Sequence, residues 1–456
     1  MDFQGLWLVV GLARSGCAAG ALLRRRGARV LGVDDASLDD VRARWEQRGL
    51  TEQARVAFDD LRCGPGWDAG LPPLAGVVLS PGVPGEHPGL DGLRGRVPVI
   101  GELELGWRCC AARAVAVTGT NGKTTTTELT AHLLRTAGRD ARALGNVGRP
   151  FCDVADALAP EAVAVLECSS FQLETIDTFR PVAGAVLNLA PDHLDRYPDL
   201  ASYYAAKRRL LDALGDGGLF VTWTGCDEAL SWPAPRRTLF GDGPDGASVL
   251  LHHGMIARLR ADGPQALLPW DDVPLTGAPN LLNVLAAVAL TEPFDLPADV
   301  LAAGLRTFRG LEHRQQTVAR RGGVVFVDDS KATNVHAVCA GLAGYRDGVV
   351  LIVGGSGKGE DYAPLRAALD PVAHVILIGA EGPALGAALD GARPLHRADD
   401  LEGAVALGAE LAAPGGTVLL SPACASFDMF RDYHHRGQVF RDAARALPGA
   451  VAEGDA

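Results

Sequence analysis

The sequence lacks the features that mark secreted, membrane-spanning or metal-stapled chains. Its nine cysteines include no Cys-x-x-Cys pair, and an odd count with Cys109 and Cys110 adjacent suits neither a disulfide framework nor a structural zinc site. A reducing compartment is expected, and with it a cytoplasmic location. No basic segment precedes the first apolar stretch, Leu6 to Val10, and no apolar run is long enough to span a bilayer, so neither a leader nor a membrane partner is expected. Positive charge is also in short supply: 43 Lys and Arg stand against 55 Asp and Glu, a formal net charge of −12, which opposes binding to nucleic acid or an anionic membrane. Any anionic ligand must therefore be held locally. Repeats, heptads and low-complexity tracts are absent, which excludes solenoids and coiled coils.

What is present is an ordinary globular composition, 48% hydrophobic and 21% charged, over 456 residues, a length that suits roughly three domains. Short apolar runs followed by a Gly or Ser turn and then helical spacing recur from end to end, which predicts an α/β fold with parallel sheets. Strands are expected at Leu6 to Val10, Ala28 to Val33 and Gly76 to Leu79; then at Ala114 to Val117, Val163 to Leu166 and Ala183 to Leu187; and finally at Val324 to Val327, Val349 to Val353, Val375 to Ile378 and Thr417 to Leu420. Glu102 to Arg113 reads as a polar passage, and Thr224 to Trp270 as short strands and loops of low regularity. The expected organisation is a Rossmann-like domain over 1–101, a central P-loop-type ATPase domain over 102–310 and a Rossmann-like domain over 311–456.

Gly119-Thr120-Asn121-Gly122-Lys123-Thr124 lies between an apolar strand and a helical segment, where backbone N–H groups and a helix N-terminus can surround phosphate oxygens. Val117 stands where the common GxxxxGK[ST] motif has its first glycine, so an ordinary P-loop kinase or GTPase fits less well. Lys123 would neutralise the β- and γ-phosphates and Thr124 would offer its hydroxyl to Mg²⁺, with Thr125 beside them. Gly11, Ala13 and Gly16 approximate a dinucleotide fingerprint with Asp34 and Asp35 about twenty residues on. An NAD-dependent oxidoreductase is therefore one alternative, although Ala13 places a Cβ where the second glycine admits the pyrophosphate.

The six-residue phosphate loop resembles the ATP site of the Mur ligase family, which adds amino acids to the peptidoglycan stem. ECSSFQLE from Glu167 to Glu174, NLAPDHLDRY from Asn188 to Tyr197, AAK ending at Lys207, DSKATN from Asp329 to Asn334 and SPACAS from Ser421 to Ser426 are similar to that family's motifs and occur in its order. The segments Gly11 to Gly16, Ser80 to Gly82 and Ser421 to Tyr433 are most similar to the branch that joins D-glutamate to UDP-N-acetylmuramoyl-L-alanine through an acyl phosphate made from ATP.

The resemblance implies site residues. ATP would be held by Gly119 to Thr125, Asn280, Asn283, Arg314, Asp329 and Lys331; Pro279 stands where the family often has His. Two Mg²⁺ ions would be held by Thr124, Glu167, His193 and Lys207, the last as a carbamate. Catalysis would involve Lys123, Glu167, His193, Lys207, Arg314 and Lys331. The uridine nucleotide would contact Ser15, Gly16, Asp34, Asp35, Ser80, Pro81, Gly82, Asn146, Ser169 and Gln172. D-Glutamate would meet Thr333, Lys358, Ser426 and Tyr433, the last at a position where relatives often carry Phe. A monomer acting only on small molecules is expected. A folylpolyglutamate synthase-like ligase and a non-catalytic nucleotide-binding regulator remain as further alternatives.

Overall fold

The computed structural model describes residues 3–193, 196–243, 246–275, 277–357 and 359–453. Three sheets carry the fold. The first is parallel, with order β3-β2-β1-β4-β5, from β1 (Leu6–Val10), β2 (Arg29–Asp34), β3 (Asp60–Cys63), β4 (Gly76–Leu79) and β5 (Val99–Gly101). Helix α1 (Arg14–Arg25) follows β1 and buries Cys17, Ala18, Leu22 and Leu23. This is the strand order of a dinucleotide-binding half-fold, so ligand-binding loops are expected at the carboxyl ends of its strands.

The Glu102 to Arg113 passage departs from its expected character. It forms helix α2 (Glu102–Cys109), in which Glu102 and Glu104 are both buried. Glu104 is satisfied there: it accepts from the backbone N–H groups of Asp177, Thr178 and Phe179, from the Thr178 hydroxyl and from Arg108. A glutamate with that many donors is a structural joint rather than a surface residue.

The second sheet has order β14-β13-β12-β11-β10-β9-β6-β8-β7. Its members are β6 (Arg113–Thr118), β7 (Ala141–Gly145), β8 (Val163–Glu167), β9 (Ala183–Val186), β10 (Leu219–Trp223), β11 (Arg237–Gly241), β12 (Val249–His252), β13 (Met255–Arg260) and β14 (Gly263–Pro269). The Thr224 to Trp270 stretch thus contributes four regular strands, β11 to β14, that extend one edge of the sheet, with an antiparallel β12–β13 hairpin pairing His252 with Met255. Its turn residues obscure the strands because each run is only four to seven residues long. Two helices flank the sheet's centre, α3 (Lys123–Thr136) directly after β6 and α4 (Leu200–Leu214).

The third sheet has order β19-β18-β17-β20-β16-β15-β21, from β15 (Gln316–Arg321), β16 (Val324–Asp328), β17 (Val349–Gly354), β18 (Val372–Ile378), β19 (Leu395–Arg397), β20 (Thr417–Leu420) and β21 (Val451–Ala452). Alternate residues of its inner strands enter two separate cores: Leu351, Val353 and Leu419 pack on one face, Val350, Ile352, Val418 and Leu420 on the other. Burial on both faces explains why these strands read as continuous apolar runs. Helix α5 (Tyr433–Ala446) covers the second of these faces with Phe440 and Ala444.

By contact density the chain forms two compact units. One comprises 1–268 with 283–305, the other 269–282 with 306–456. In the first unit a single core runs through both sheets, uniting Trp7, Val9 and Leu22 with Leu103, Phe151 and Leu166.

Candidate active site

Strand β6 delivers the phosphate loop, and two left-handed glycines shape it. Gly119 has φ 149° and Gly122 φ 84°. A Cβ on Gly122 would lie 2.3 Å from Asn283 Oδ1, so a side chain is excluded by contact as well as by backbone conformation. Asn188, at the end of β9, clips the loop: its side-chain oxygen accepts from Asn121 N–H at 2.9 Å and its amide donates to Asn121 O at 3.1 Å. The Thr120 hydroxyl donates to Ala190 O at 3.1 Å. Lys123, the first residue of α3, folds its ammonium back over the loop and donates to Gly119 O at 2.9 Å and Thr120 O at 2.8 Å. The cation is thus held against the loop's own carbonyls at the start of the helix, where an anion would sit. Thr124 and Thr125 occupy the first turn of α3, Thr125 buried.

Glu167 ends β8, whose neighbour β6 places Val117 opposite it, two residues before the loop begins. The side chain is buried, and Asn146 donates to its Oε1 at 2.9 Å. Its Oε2 is buried and has no hydrogen-bond partner among the described residues. A buried carboxylate oxygen left unsatisfied is costly, and a cation would satisfy it. Among the described residues no group of three or more His, Cys, Asp and Glu is gathered for a metal. Magnesium does not require one, since it is bound through one or two carboxylates together with substrate phosphates and water. Glu167 therefore fits as a Mg²⁺ ligand.

Lys207 lies on the buried stripe of α4 with Tyr203, Ala206 and Leu210, and is 1% exposed. Its ammonium donates to Gly119 O at 2.8 Å and sits 4.7 Å from the Tyr203 ring centroid. Burial, and then the Lys123 charge, push its pKa well below the ordinary lysine range, while Asp192 and Glu167 oppose the shift. His193 adopts φ 56°, and its ring lies 6.0 Å from Tyr203 and 5.1 Å from Phe171. Tyr203 is 3.4 Å from the Thr120 hydroxyl, so one ring connects Lys207, His193 and the phosphate loop. Nothing in the spacing singled out Tyr203. Asn283 joins the same neighbourhood through its Oδ1, which accepts from Thr126 at 3.3 Å, and Asn280 lies one turn earlier on the helix Ala278–Leu290.

A cleft of about 430 Å³ opens at the carboxyl ends of β1, β2 and β4. Ser15, Asp34, Asp35, Ser80, Pro81, Gly82, Asn146 and Gln172 line it, as do Arg14, Arg44, Arg48 and His87, which the sequence patterns did not single out. The arginines are brought in from α1 and from the segment after β2, a convergence that no local motif encodes. Some expected contact residues are instead spent on shaping the walls. Asp34 accepts from Leu12 N–H, Ala36 N–H and Arg44. The Ser80 hydroxyl donates to Gly11 O at 2.5 Å. Gly16 permits close packing, since a Cβ there would lie 2.0 Å from Gly11 O. Ser169 caps the short helix Ser170–Leu173 in a reciprocal box with Gln172.

In the second unit, Asp329 follows β16 and is buried. It accepts from Gln315 Nε2 at 2.7 Å and from the Ser421 hydroxyl at 3.0 Å, and burial raises its pKa to about 7 against those bonds. The Lys331 ammonium lies 3.7 Å from the Tyr433 ring centroid, a cation–π contact that fixes the lysine at the start of α5. Arg314 follows His313, which has φ 62° and is bonded to Asp328 at 2.7 Å. Arg436, fully buried, ties Ser330 to the Cys424 and Ala425 carbonyls and so joins the Asp329 to Lys331 turn to the segment that carries Ser426. Thr333 ends the same turn, its N–H donating to Lys331 O at 2.8 Å. Lys358 lies outside the described residues.

Residues 117–291 match the Mur ligase middle domain and residues 313–424 the Mur ligase glutamate ligase domain. The chain is 39% identical over 465 residues to the UDP-N-acetylmuramoylalanine–D-glutamate ligase of Acidobacterium capsulatum, covering 98% of this chain and 97% of that protein. It is 42% identical over 470 residues to the protein of the same name from Aromatoleum aromaticum, covering 97% of each. Among solved structures, the MurF ligase of Thermotoga maritima in complex with ADP has a TM-score of 0.61 at 16% identity, over 91% of this chain and 95% of that one. That likeness bears on the fold alone.

Proposed function

The chain belongs to the Mur ligase family, and from that premise we propose that it joins D-glutamate to UDP-N-acetylmuramoyl-L-alanine at the expense of ATP, in the synthesis of a peptidoglycan precursor. The observation that carries this is the phosphate loop at the end of β6 beside Glu167, whose Oε2 is buried with no hydrogen-bond partner among the described residues, in a chain matching ligases of that name over nearly its whole length. A folate ligase, a dehydrogenase or a regulator has no comparable support.

The carboxylate oxygen of the alanyl group attacks the γ-phosphorus of ATP, the bond to the β-γ bridging oxygen breaks, and ADP leaves. The D-glutamate amine then attacks the acyl carbon and expels phosphate. Backbone N–H groups of the loop and Lys123 bind and orient the polyphosphate, so that charge developing on the leaving oxygen meets donors already in place. Mg²⁺ held by Glu167 and Thr124 would supply charge neutralisation for the phosphates. Lys207, whose charged form burial disfavours, adds through its amine nitrogen to CO₂ and loses a proton to give a carbamate, an anion in place of a cation; His193, against the same Tyr203 ring, is a further contact in this proposal.

The cleft of the first sheet receives the uridine nucleotide. Arg314, Asp329 and Lys331 act on ATP, with Asn280 and Asn283 toward the adenine, while Thr333, Lys358, Ser426 and Tyr433 receive D-glutamate. A division into domains at 1–101, 102–310 and 311–456 belongs to the same proposal and is supported by one sheet falling within each span. The use of ATP and a nucleotide-linked substrate supports a cytoplasmic reaction, and a monomeric enzyme belongs to the same proposal.

The test is ADP release with UDP-N-acetylmuramoyl-L-alanine, offering D-glutamate against L-alanine, L-lysine and diaminopimelate. D-Glutamate is expected to be preferred, with ¹⁸O from the alanyl carboxylate appearing in orthophosphate. Label remaining wholly in the product would exclude the acyl phosphate.

A further inference from the structure

Glu174 lies at the end of the short helix Ser170–Leu173, and its carboxylate takes two partners from the segment that follows His193. The Tyr197 hydroxyl donates to its Oε1 at 2.5 Å, and Arg196 Nη2 lies 3.5 Å from its Oε2. Burial, and then the bond to Glu174, push the Tyr197 pKa above the ordinary tyrosine range, so the phenol keeps its proton and remains the donor. The backbone of the same two residues serves a different end. Arg196 N–H and Tyr197 N–H both donate to His193 O, each at 3.0 Å. One carboxylate thus anchors the two side chains whose amides fix the carbonyl of His193.

The His193 ring is seated by the same residues. It meets Phe171 at 5.1 Å and Tyr203 at 6.0 Å edge-on, and Tyr197 packs against both of these walls, stacked on Phe171 at 5.7 Å and tilted on Tyr203 at 5.3 Å. The Arg196 guanidinium covers the Phe171 ring at 4.8 Å. Tyr197 and Tyr203 are buried, whereas the His193 side chain is 42% exposed. His193 needs this support: its φ of 56° is a left-handed conformation that a residue other than glycine adopts at a cost, and keeps only where its surroundings hold it.

We propose that Glu174 and Tyr197 are positioning residues that set the backbone and ring of His193 beside the Lys207 carbamate of the proposed reaction. The inference rests on that reaction and on the part given to His193 in it. A contact misplaced by about 1 Å can cost about a hundredfold in rate while both substrates still bind, so the deficit of a mis-set His193 falls on kcat.

The experiment has two arms on the full-length protein. Its variants are Tyr197→Phe, which keeps the ring and removes the donor, Glu174→Ala, which removes the acceptor, and Glu174→Gln, which retains an acceptor oxygen. In the first arm, ¹³C–¹H spectra of imidazole-labelled protein, without nucleotide or metal, follow the His193 signal, identified by its loss in His193→Ala. Tyr197→Phe and Glu174→Ala are expected to move that signal by more than its linewidth and to leave those of His252 and His253 on the β12–β13 hairpin unmoved; Glu174→Gln should return it most of the way. In the second arm, Tyr197→Phe should lower kcat by about tenfold, with the KM for ATP and for the nucleotide substrate within about twofold of wild type. In a His193→Ala background the same change should cost less than about twofold, because a residue that acts through His193 has nothing left to place. A merely structural tyrosine would cost the same factor in both backgrounds, and that result, or an unmoved His193 signal, overturns the inference while the reaction itself stands. Wild-type protein that releases no ADP with any acceptor overturns the proposed function, and the inference falls with it.

Discussion

Lys207 and Lys123 donate to the same backbone oxygen, Gly119 O, at 2.8 Å and 2.9 Å. Two ammonium groups sharing one acceptor repel, and burial bears hardest on Lys207 on α4, pushing its pKa well below the ordinary lysine range. An amine whose charged form is disfavoured in this way is suited to add CO₂. Activity is therefore expected to fall by about tenfold or more when CO₂ and bicarbonate are stripped from the assay, and to return on adding bicarbonate. A ¹³C carbamate resonance should appear in wild type and be missing from Lys207→Ala, whose residual activity should ignore bicarbonate. Full wild-type turnover without CO₂, and no such resonance, would sink the carbamate.

Lys123→Ala removes a cation that the loop's own carbonyls hold in place, without opening the core. ADP release should drop by about a hundredfold or more, as for other preorganised groups that meet developing charge. The far-UV circular dichroism spectrum should be unchanged. Near-normal ADP production would show that the phosphates are held elsewhere.

The phosphate loop and Glu167 were legible in the sequence because a strand, a turn and a helix start are contiguous, and a carboxylate ending an apolar strand announces its place. Strands β1, β4 and β20 were legible to the residue, since their boundaries coincide with abrupt changes of polarity. β18 begins three residues earlier than its apolar run, because His374 interrupts that run without interrupting the strand. The contacts of Asp35 with Trp67 and His87 were not legible: the two are 32 and 52 residues away from it, and only the fold brings them together. Buried Lys207 left a fainter trace, a lysine in register with Tyr203 and Leu210 on one helical stripe. Glu102 and Glu104 hid in plain view, since two glutamates beside apolar residues read as a polar passage until their partners are in place.

Gly82 lines the first-sheet cleft and Gly16 lies in the helix α1 that follows β1, but only Gly16 has no room to change. A Cβ on Gly16 would lie 2.0 Å from the backbone oxygen of Gly11, which cannot yield as a flexible side chain can, whereas nothing lies within 4 Å of a Cβ on Gly82. Gly16→Ala should lower the melting temperature by about 4 °C or more and abolish UDP binding. Gly82→Ala should melt within about a degree of wild type, a surface-like change. Equal melting temperatures for the two variants would contradict the packing role of Gly16.

Glu102 couples the stability of the first unit to pH. Its Oε1 accepts from Cys152 N–H at 2.7 Å, its Oε2 is buried with no hydrogen-bond partner among the described residues, and burial raises its pKa from 4.5 to about 7. Below the unfolded value both states are protonated and the group costs nothing. Between 4.5 and about 7 the folded chain retains a proton that the unfolded chain releases, so unfolding becomes easier as pH rises through that window, and the loss is complete above it. Glu102→Gln removes the titration. The stability of wild type relative to Glu102→Gln should therefore decline between pH 5 and pH 8 by on the order of 2–3 kcal/mol, read from paired urea unfolding curves. A difference that stays constant with pH would mean that Glu102 titrates in the fold as it does in water, and that its buried oxygen has found a partner in solution.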